Sequence, residues 1–379
     1  MGKKSELNVA MIGYAFMGKA HSNAFLSVNK FFDLPVKFNM KVICGRTEKN
    51  VKRVQTKWGW QEYSLDWKQV VKRDDIDVVD VATPNNIHIP VILEAAKRGK
   101  HILCEKPLGI SVSECKKAVE AVKAAKVYHM IWHNYRKAPA LSLAKKLIDE
   151  GRMGDVYHVR GTFLQDWLVD PNFPLVWRLK KELSGSGTHG DICVHLIDSA
   201  RFLVGEIKEV TGMVETFIKE RPLPENPKQK GKVTVDDMSS FLCRFENGAV
   251  GVFEATRFAT GRKAHNRIEV NGSKGSVAWC SQDMNTLEFY SKSDQRHTRG
   301  FRKILVTEDV HPYYKGYWPP GHTIGYEHTF INALVDFAEA YARGESPTPN
   351  LEDGLRNQMV LEAVLKSAET KKWVKVNQI

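Results

Sequence analysis

The sequence predicts a two-domain chain. An α/β domain with a doubly wound parallel sheet comes first, and an α+β domain with a large open, mainly antiparallel sheet follows. Apolar strand segments alternate with amphipathic helices over the first third. From about residue 208, apolar and polar residues alternate and turn signals recur. A chain of 379 residues is also long for one core. We therefore expect domains over residues 1–135 and 136–379, with the late helices able to pack back on the first domain.

The first domain consists of repeated strand–helix units. Two of the predicted helices end at a glycine, Gly59 or Gly99. Units of this length connect neighbouring strands through helical crossovers, so the strands run parallel. The predicted strands are ELNVAMIG, MKVICG, IDVVDVATP, KHILCEKP and VYHMIWHNY, and the helices are KAHSNAFLSV, TEKNVKRVQTKWG, NNIHIPVILEAAKRG and SVSECKKAVEAVKAAK.

The second domain begins with a helix, PALSLAKKLIDEG, and a long strand, VYHVRGTFLQDW. Asn-Gly pairs at 247–248 and 271–272 predict hairpin turns in the antiparallel region. The stretch ERPLPENPKQKGK is interpreted as a surface connection. The remaining segments are the strands VTGMVETFI, MSSFLCRFENGAVGVFEATRF, NRIEVNGSKGSVAWC and TLEFYS, and the late helices YEHTFINALVDFAEAYARG and LEDGLRNQMVLEAVLKSAET.

Composition narrows the functional classes. Hydrophobic residues make up 42% and charged residues 26%, as in ordinary globular proteins. The net charge of +12 is spread along helices and loops without interleaved aromatics, so we expect no nucleic-acid partner. No segment has the apolar length of a signal peptide or membrane helix. The six cysteines form no CxxC pair, which favours a reducing, cytoplasmic setting.

The stretch VAMIGYAFMG carries the outline of a phosphate-binding turn. Gly13 and Gly18 frame Ala15, Phe16 and Met17, between a predicted strand and a predicted helix. Ala15 replaces the middle glycine of G-x-G-x-x-G, and the extra methyl is small enough for the fold to absorb. A strand–helix turn without a ligand is the alternative.

The end of the second strand bears on the choice of dinucleotide. An acidic residue there holds the ribose 2′-hydroxyl of NAD, but this strand ends in CGRT, residues 44–47. Arg46 is consistent with a 2′-phosphate or with stacking on adenine, and equally with an exposed arginine at a helix start. NAD is expected and NADP stays open.

Two further strand ends carry polar groups where α/β sheets bind ligands. Thr83, Pro84, Asn85 and His88 follow the third strand and can line the ribose next to the nicotinamide. A bare Pro-Asn turn is the alternative. The Glu105-Lys106 pair follows the fourth strand, where lysine can donate to a substrate hydroxyl and a cofactor ribose. A surface ion pair is the alternative reading.

A glycine-rich loop, SGSGTHG, leads into a helix with Asp191 and His195 one turn apart. Histidine is a suitable base near neutral pH, and a nearby carboxylate can orient it. His189 would complete a His/Asp/His set, but no further ligand stands out and we expect no metal. A core or capping histidine is the alternative.

These stretches together resemble the glucose–fructose oxidoreductase / inositol dehydrogenase (Gfo/Idh/MocA) family over nearly the whole chain. The resemblance depends on the glycine turn, on Glu105-Lys106-Pro107 and on the stretch 190–198, GDICVHLID. It implies a Rossmann domain, a sheet domain through which many members form dimers or tetramers, and NAD(P)-dependent chemistry on sugar and cyclitol hydroxyls. It further implies that Lys106, Asp191 and His195 are catalytic, and that Glu105 and Asn134 join the cofactor residues named above.

The segment FLQDWLVDPNFPLVWRL resembles the subgroup of levoglucosan and inositol dehydrogenases. A polyol pocket needs flat apolar faces and hydrogen-bond donors. Packing or an oligomer contact is the alternative for the late His322. Besides the catalytic residues, the expected substrate-binding residues are Tyr135, Arg136, Asp166, Trp167, Trp177, Arg178 and His322.

The expected activity is therefore transfer of hydride from a secondary hydroxyl of a small neutral sugar, anhydrosugar or cyclitol to nicotinamide. His195 would accept the hydroxyl proton, and Lys106 and Asp191 would hold the oxygen. The alternatives are a non-catalytic sensor of NAD(P) or sugar with the same fold, or a reductase of a dicarbonyl or dihydrodiol. The substrate, the oxidised carbon, the direction and the choice between dimer and tetramer stay open.

Overall fold

The computed structural model describes residues 4–379. Strands and helices alternate up to residue 131, as the sequence predicts. In this part they are β1 (Glu6–Ile12), α1 (Phe16–Phe31), β2 (Lys37–Cys44), α2 (Glu48–Trp58), β3 (Glu62–Ser64), α3 (Trp67–Lys72), β4 (Val78–Val81), α4 (Asn85–Lys97), β5 (His101–Cys104), α5 (Val112–Ala125) and β6 (His129–Ile131).

The remaining chain contains most of the strands. They and the helices between them are α6 (Pro139–Asp149), β7 (Val156–Leu164), α7 (Lys181–Ser184), α8 (Val194–Val204), β8 (Ile207–Glu215), β9 (Glu220–Leu223), β10 (Asn226–Lys232), β11 (Met238–Phe245), β12 (Val250–Thr256), β13 (His265–Gly272), β14 (Gly275–Cys280), β15 (Thr286–Ser291), β16 (Arg302–Leu305), α9 (His328–Arg343), α10 (Leu351–Thr370) and β17 (Val374–Lys375).

The first sheet is parallel throughout and has the order β3-β2-β1-β4-β5-β6. The strand order reverses beside β1, so the carboxyl ends of β1 and β4 flank the switch point at which such sheets bind ligands. The strands contribute many buried apolar residues, because sheets of this type are covered by helices on both faces. The sequence prediction missed β3 and α3, since a three-residue edge strand carries too little pattern.

The second sheet has the order β16-β15-β14-β13-β7-β12-β11-β8-β17. Its described strand pairs are antiparallel except β7 and β12, which run parallel. Helix α6 packs on β14 and β15, and α8 packs on β7 and β13. The predicted mainly antiparallel sheet is therefore confirmed, with one parallel pair near its centre.

Three local predictions compare differently with the structure. The turn at Asn247-Gly248 connects β11 to β12 as predicted. Asn271 and Gly272 are instead the last residues of β13, and the turn lies at 273–274, because Asn271 pairs with Ser276. The predicted connection ERPLPENPKQKGK is a hairpin of β9 and β10 whose outer strand is almost entirely exposed.

The chain forms two compact units. One contains the segment up to Lys137 together with residues 325–356, and the other contains 138–324 together with 357–379. The sequence placed a single boundary at 135/136; in the structure α9 and the start of α10 join the first unit. No helix within residues 4–379 is long and apolar enough to cross a membrane.

Candidate functional site

The glycine turn after β1 is built by backbone contacts. Gly13 has φ +116°, and a Cβ there would lie 2.2 Å from the carbonyl oxygen of Ala82 after β4. The amide of Gly13 donates to the carbonyl of Cys44 at the end of β2 (2.9 Å). A Cβ at Gly18 would lie 2.5 Å from the Gly13 carbonyl oxygen, which holds α1 tightly against the turn. Only glycine fits at Gly13, in space and in conformation.

These residues fit a dinucleotide phosphate. Helix α1 has 16 residues and begins at Phe16, inside the Gly13–Gly18 turn, so the turn contains helix N-terminal amides that have no partners inside the helix. Ala15 and Phe16 are exposed, and the methyl of Ala15 fills no space that the fold needs. The role of Ala15 beside a pyrophosphate stays a prediction.

The adenosine side of the turn contains an unpredicted contact. A Cβ at Gly45 would lie 1.9 Å from the ring of Tyr14, so Gly45 makes room for this aromatic side chain. Arg46 is exposed at the start of the next segment. The structure therefore places a ring and a cation where NAD-specific relatives of this fold type carry a carboxylate.

His88 is used inside the fold. It is buried in α4, its Nδ1 lies 2.9 Å from the carbonyl oxygen of Pro107, and its Nε2 lies 3.0 Å from that of Thr83. Burial lowers the pKa of His88. Its ring ties the loop after β4 to the loop after β5, while Thr83 and Pro84 are partly exposed and Asn85 begins α4.

The loop after β5 carries Glu105 and Lys106. Glu105 is buried; its Oε1 lies 3.0 Å from Nε2 of His21, and its Oε2 accepts the backbone N–H of Lys106 at 3.2 Å. Nδ1 of His21 lies 3.0 Å from Oδ2 of Asp80. The carboxylate of Glu105 thus supports the backbone at Lys106, whose side chain is partly exposed.

His21 and Asp80 are not among the residues that sequence motifs predict. Asp80 is the one charged residue in the apolar run VVDV, and His21 lies one turn after Gly18. A lone charge in a buried strand indicates a partner, but the sequence does not show which residue supplies it.

The residues after β6 are held by α9, by the segment directly before it and by the start of α10. Asn134 donates through Nδ2 to the hydroxyl of Thr329 (2.9 Å), and Nη2 of Arg136 lies 3.4 Å from Oδ1 of Asp353. Tyr135 is buried, and its ring centroid lies 6.1 Å from that of Tyr326. This part of the first unit is therefore fixed by residues more than 190 positions later in the chain.

Asp191 and His195 lie in the second unit, on consecutive turns. Residues His189–Cys193 form a π-helical turn that continues into α8, and such turns often accompany functional sites. The carboxylate of Asp236 accepts the amides of Gly187 (2.8 Å) and His189 (2.7 Å), which anchors the start of this turn. His189 is buried. Its Nδ1 lies 2.9 Å from the hydroxyl oxygen of Ser239 and its Nε2 lies 2.9 Å from the carbonyl oxygen of Leu361, so its role is structural.

Arg257 is the functional candidate that the sequence analysis missed. It is fully buried directly after β12, and its Nη2 donates to Oδ2 of Asp191. Its guanidinium lies 5.0 Å from the ring centroid of Trp167. Trp167 follows β7, and because β7 and β12 run parallel with Leu164 opposite Thr256, both residues leave the sheet at the same edge. The order EATRF in the sequence gives no sign of this pairing.

The other predicted substrate residues are distributed over the same unit. Asp166 accepts Nζ of Lys263 (2.7 Å) and the Gly261 amide (3.0 Å), and these contacts lower its pKa. The guanidinium of Arg178 stacks on the neighbouring Trp177 ring at 4.5 Å. His322 is exposed, with Nδ1 3.0 Å from the Pro319 carbonyl oxygen. The structure thus brings Trp167 to Arg257, the partner of Asp191.

Within residues 4–379, no group of three or more histidine, cysteine, aspartate or glutamate side chains is arranged to hold a metal ion. This holds for His189 and Asp191 as well, whose side chains face different partners.

Comparison with known proteins agrees with this architecture. Residues 7–133 match the profile of the oxidoreductase family with an NAD-binding Rossmann fold, and residues 141–278 match the GFO/IDH/MocA C-terminal domain. Levoglucosan dehydrogenase of Pseudarthrobacter phenanthrenivorans is 42% identical over 98% of this chain and 99% of its own length. Inositol 2-dehydrogenase of Rhizobium meliloti is 29% identical over 80% of this chain and 81% of its own length. A structure of levoglucosan dehydrogenase with NADH and levoglucosan superposes with a TM-score of 0.95 at 43% identity. The match covers 99% of this chain and 100% of that chain.

The chain belongs to the Gfo/Idh/MocA oxidoreductase family. The predicted fold class, the assignment as an enzyme and the NAD cofactor are thereby confirmed. The relatives named above are dehydrogenases of an anhydrosugar and a cyclitol, which is the class of substrate that the sequence analysis expected.

Proposed function

We propose that this protein oxidises a secondary hydroxyl of a small neutral anhydrosugar of the levoglucosan type, with NAD as the acceptor. The observation that carries the proposal is the 42% identity to a levoglucosan dehydrogenase over nearly the full length of both chains. The chemistry-bearing residues support it, because Lys106, Asp191 and His195 are all present. A cyclitol is the second choice, in line with the lower identity to the inositol enzyme.

NAD would be held by the Gly13–Gly18 turn, with Thr83, Pro84 and Glu105-Lys106 on the nicotinamide side. When bound, it supplies the acceptor for hydride. The protein's own contribution is to position the hydroxyl and move its proton. We assign proton acceptance to His195. Lys106 donates to the reacting oxygen, and Asp191 balances the charge on the histidine.

The orientation of the Asp191 carboxylate is set by residues of its own unit. Arg257 pairs with its carboxylate from a fully buried position, and Trp167 covers the guanidinium. A charged hydrogen bond of this kind fixes the orientation of a carboxylate. Trp167 would at the same time offer a flat face to the C–H side of a sugar.

An absorbance screen at the nicotinamide band tests the proposal. NAD and NADP are each offered with levoglucosan, inositols and hexoses, and NADH is offered with dicarbonyls and dihydrodiols. Reduction of NAD with levoglucosan at a kcat/KM well above that for inositols supports it. Faster turnover of an inositol would show that the substrate is a cyclitol and not an anhydrosugar. Cofactor binding without turnover of any polyol favours a sensor, and turnover only of dicarbonyls or dihydrodiols with NADH favours a reductase.

We further propose that copies of this chain associate through the outer face of the second sheet. Leu242 and Val252 lie opposite each other on β11 and β12, and with Met213 and Val250 they are 38–51% exposed. Apolar side chains clustered on an open sheet favour a protein contact. We also propose a cytoplasmic location, in keeping with the six free cysteines.

A further inference from the structure

A buried charge cluster lies directly behind the loop of Lys106. His21 in α1 is completely buried between Asp80 of β4 and Glu105 after β5, with both ring nitrogens 3.0 Å from carboxylate oxygens. The indole N–H of Trp132 donates to the second oxygen of Asp80 (2.9 Å), and its ring stacks on His21 at 4.2 Å between centroids. We define these three residues, Asp80, His21 and Glu105, as the buried triad.

The charge of the triad follows from its hydrogen bonds. A neutral imidazole has one N–H, whereas His21 faces a carboxylate at each ring nitrogen. Two N–H donors are therefore needed, and only the protonated imidazole has two. The other groups packed on the ring are the indole of Trp132 and the ring of Phe330 from α9, neither of which titrates. Although burial alone would lower it, the pKa of His21 is raised to about 9 by Asp80 and Glu105.

The triad ends at the backbone of Lys106. With Oε1 held by His21, the other oxygen of Glu105 accepts the amide of Lys106. Two buried carboxylates without the cation between them would repel each other and lose this geometry. We propose that His21 is a positioning residue, which fixes Glu105 and through it the loop that presents Lys106 to the substrate.

This inference rests on the proposed role of Lys106, so its test needs a readout that does not depend on turnover. The variant is His21→Gln, which keeps a polar side chain but cannot bind both carboxylates as a cation. Val28→Ala is the matched control, since Val28 is a fully buried residue of the same helix outside the triad. Asp80→Asn is a second variant that weakens the triad from its far end.

Two quantities are measured: kcat and KM with levoglucosan and NAD, and hydrogen–deuterium exchange of the segment 105–110. For His21→Gln we expect kcat to fall by about tenfold to a hundredfold, as for a misplaced catalytic group. The KM for NAD should change much less, and the Lys106 amide should exchange about tenfold faster. Asp80→Asn should shift both quantities in the same direction, and Val28→Ala neither.

The outcomes separate this inference from the proposed function. Unchanged kcat and unchanged exchange in His21→Gln and Asp80→Asn would overturn it, and so would an equal loss in Val28→Ala, which would indicate general destabilisation. If the wild-type protein turns over no polyol, the proposed function fails. The exchange of the Lys106 amide alone then decides whether His21 positions the loop. If His21→Gln does not fold, Asp80→Asn decides by the same two readouts.

Discussion

The stability of this protein should depend on pH through His21. The pKa of His21 is raised from 6.5 to about 9, because Asp80 and Glu105 outweigh the effect of its burial. A group with a raised folded-state pKa contributes stability that is complete below the unfolded pKa and is lost as the pH rises through the folded pKa. The full contribution is about 3 kcal/mol, of which about 2 kcal/mol should be lost between pH 7 and pH 8.5.

Urea unfolding at several pH values measures this loss. Over that range the wild-type protein should become less stable by about 2 kcal/mol, whereas His21→Gln should start lower and show a nearly flat profile. His297→Gln is the control, because His297 is exposed and should leave the profile of the wild type intact. The reasoning is refuted if His21→Gln loses as much stability with rising pH as the wild type does.

Three further substitutions test the roles of Arg257, of Arg46 and of the exposed face of the second sheet. Arg257→Met removes the guanidinium that pairs with Asp191 and should lower the free energy of unfolding by about 2 kcal/mol and raise the KM for the sugar. Arg262→Met, at an exposed site, is the control, and a loss of stability in Arg257→Met no larger than in this control would contradict the prediction. Arg46→Asp should shift the NADP/NAD ratio of kcat/KM toward NAD if the arginine meets a 2′-phosphate, and an unchanged ratio would show that it does not. Val252→Lys should reduce the mass measured by light scattering, and an unaltered mass would exclude this sheet face as the contact.

The parallel sheet could be predicted because its strands are buried on both faces and carry a continuous apolar pattern. The edge strand β3 could not, since three residues at the rim have no such pattern. The hairpin of β9 and β10 was also missed. Its residues are lysine-rich, exposed and interrupted by proline, so they lack the alternation that identifies strands.

The candidate site shows the same division. Gly13, Lys106, Asp191 and His195 could be proposed as site residues from local motifs, because their chemistry is expressed in adjacent residues. Arg257 could not, since its role depends on the parallel pairing of β7 with β12, which brings it to Trp167. The buried triad likewise joins residues 21, 80 and 105, which meet only when the sheet has formed.

Lys106 is proposed to act on the substrate of an NAD-dependent dehydrogenase. The most direct test is Lys106→Met, with NADH binding and levoglucosan oxidation measured on the same preparation. We predict that the Kd for NADH stays within a few-fold of the wild type while kcat falls by about a hundredfold or more, the range lost with a proton-transfer or oxygen-holding group. Turnover at the wild-type rate in this variant would contradict the account.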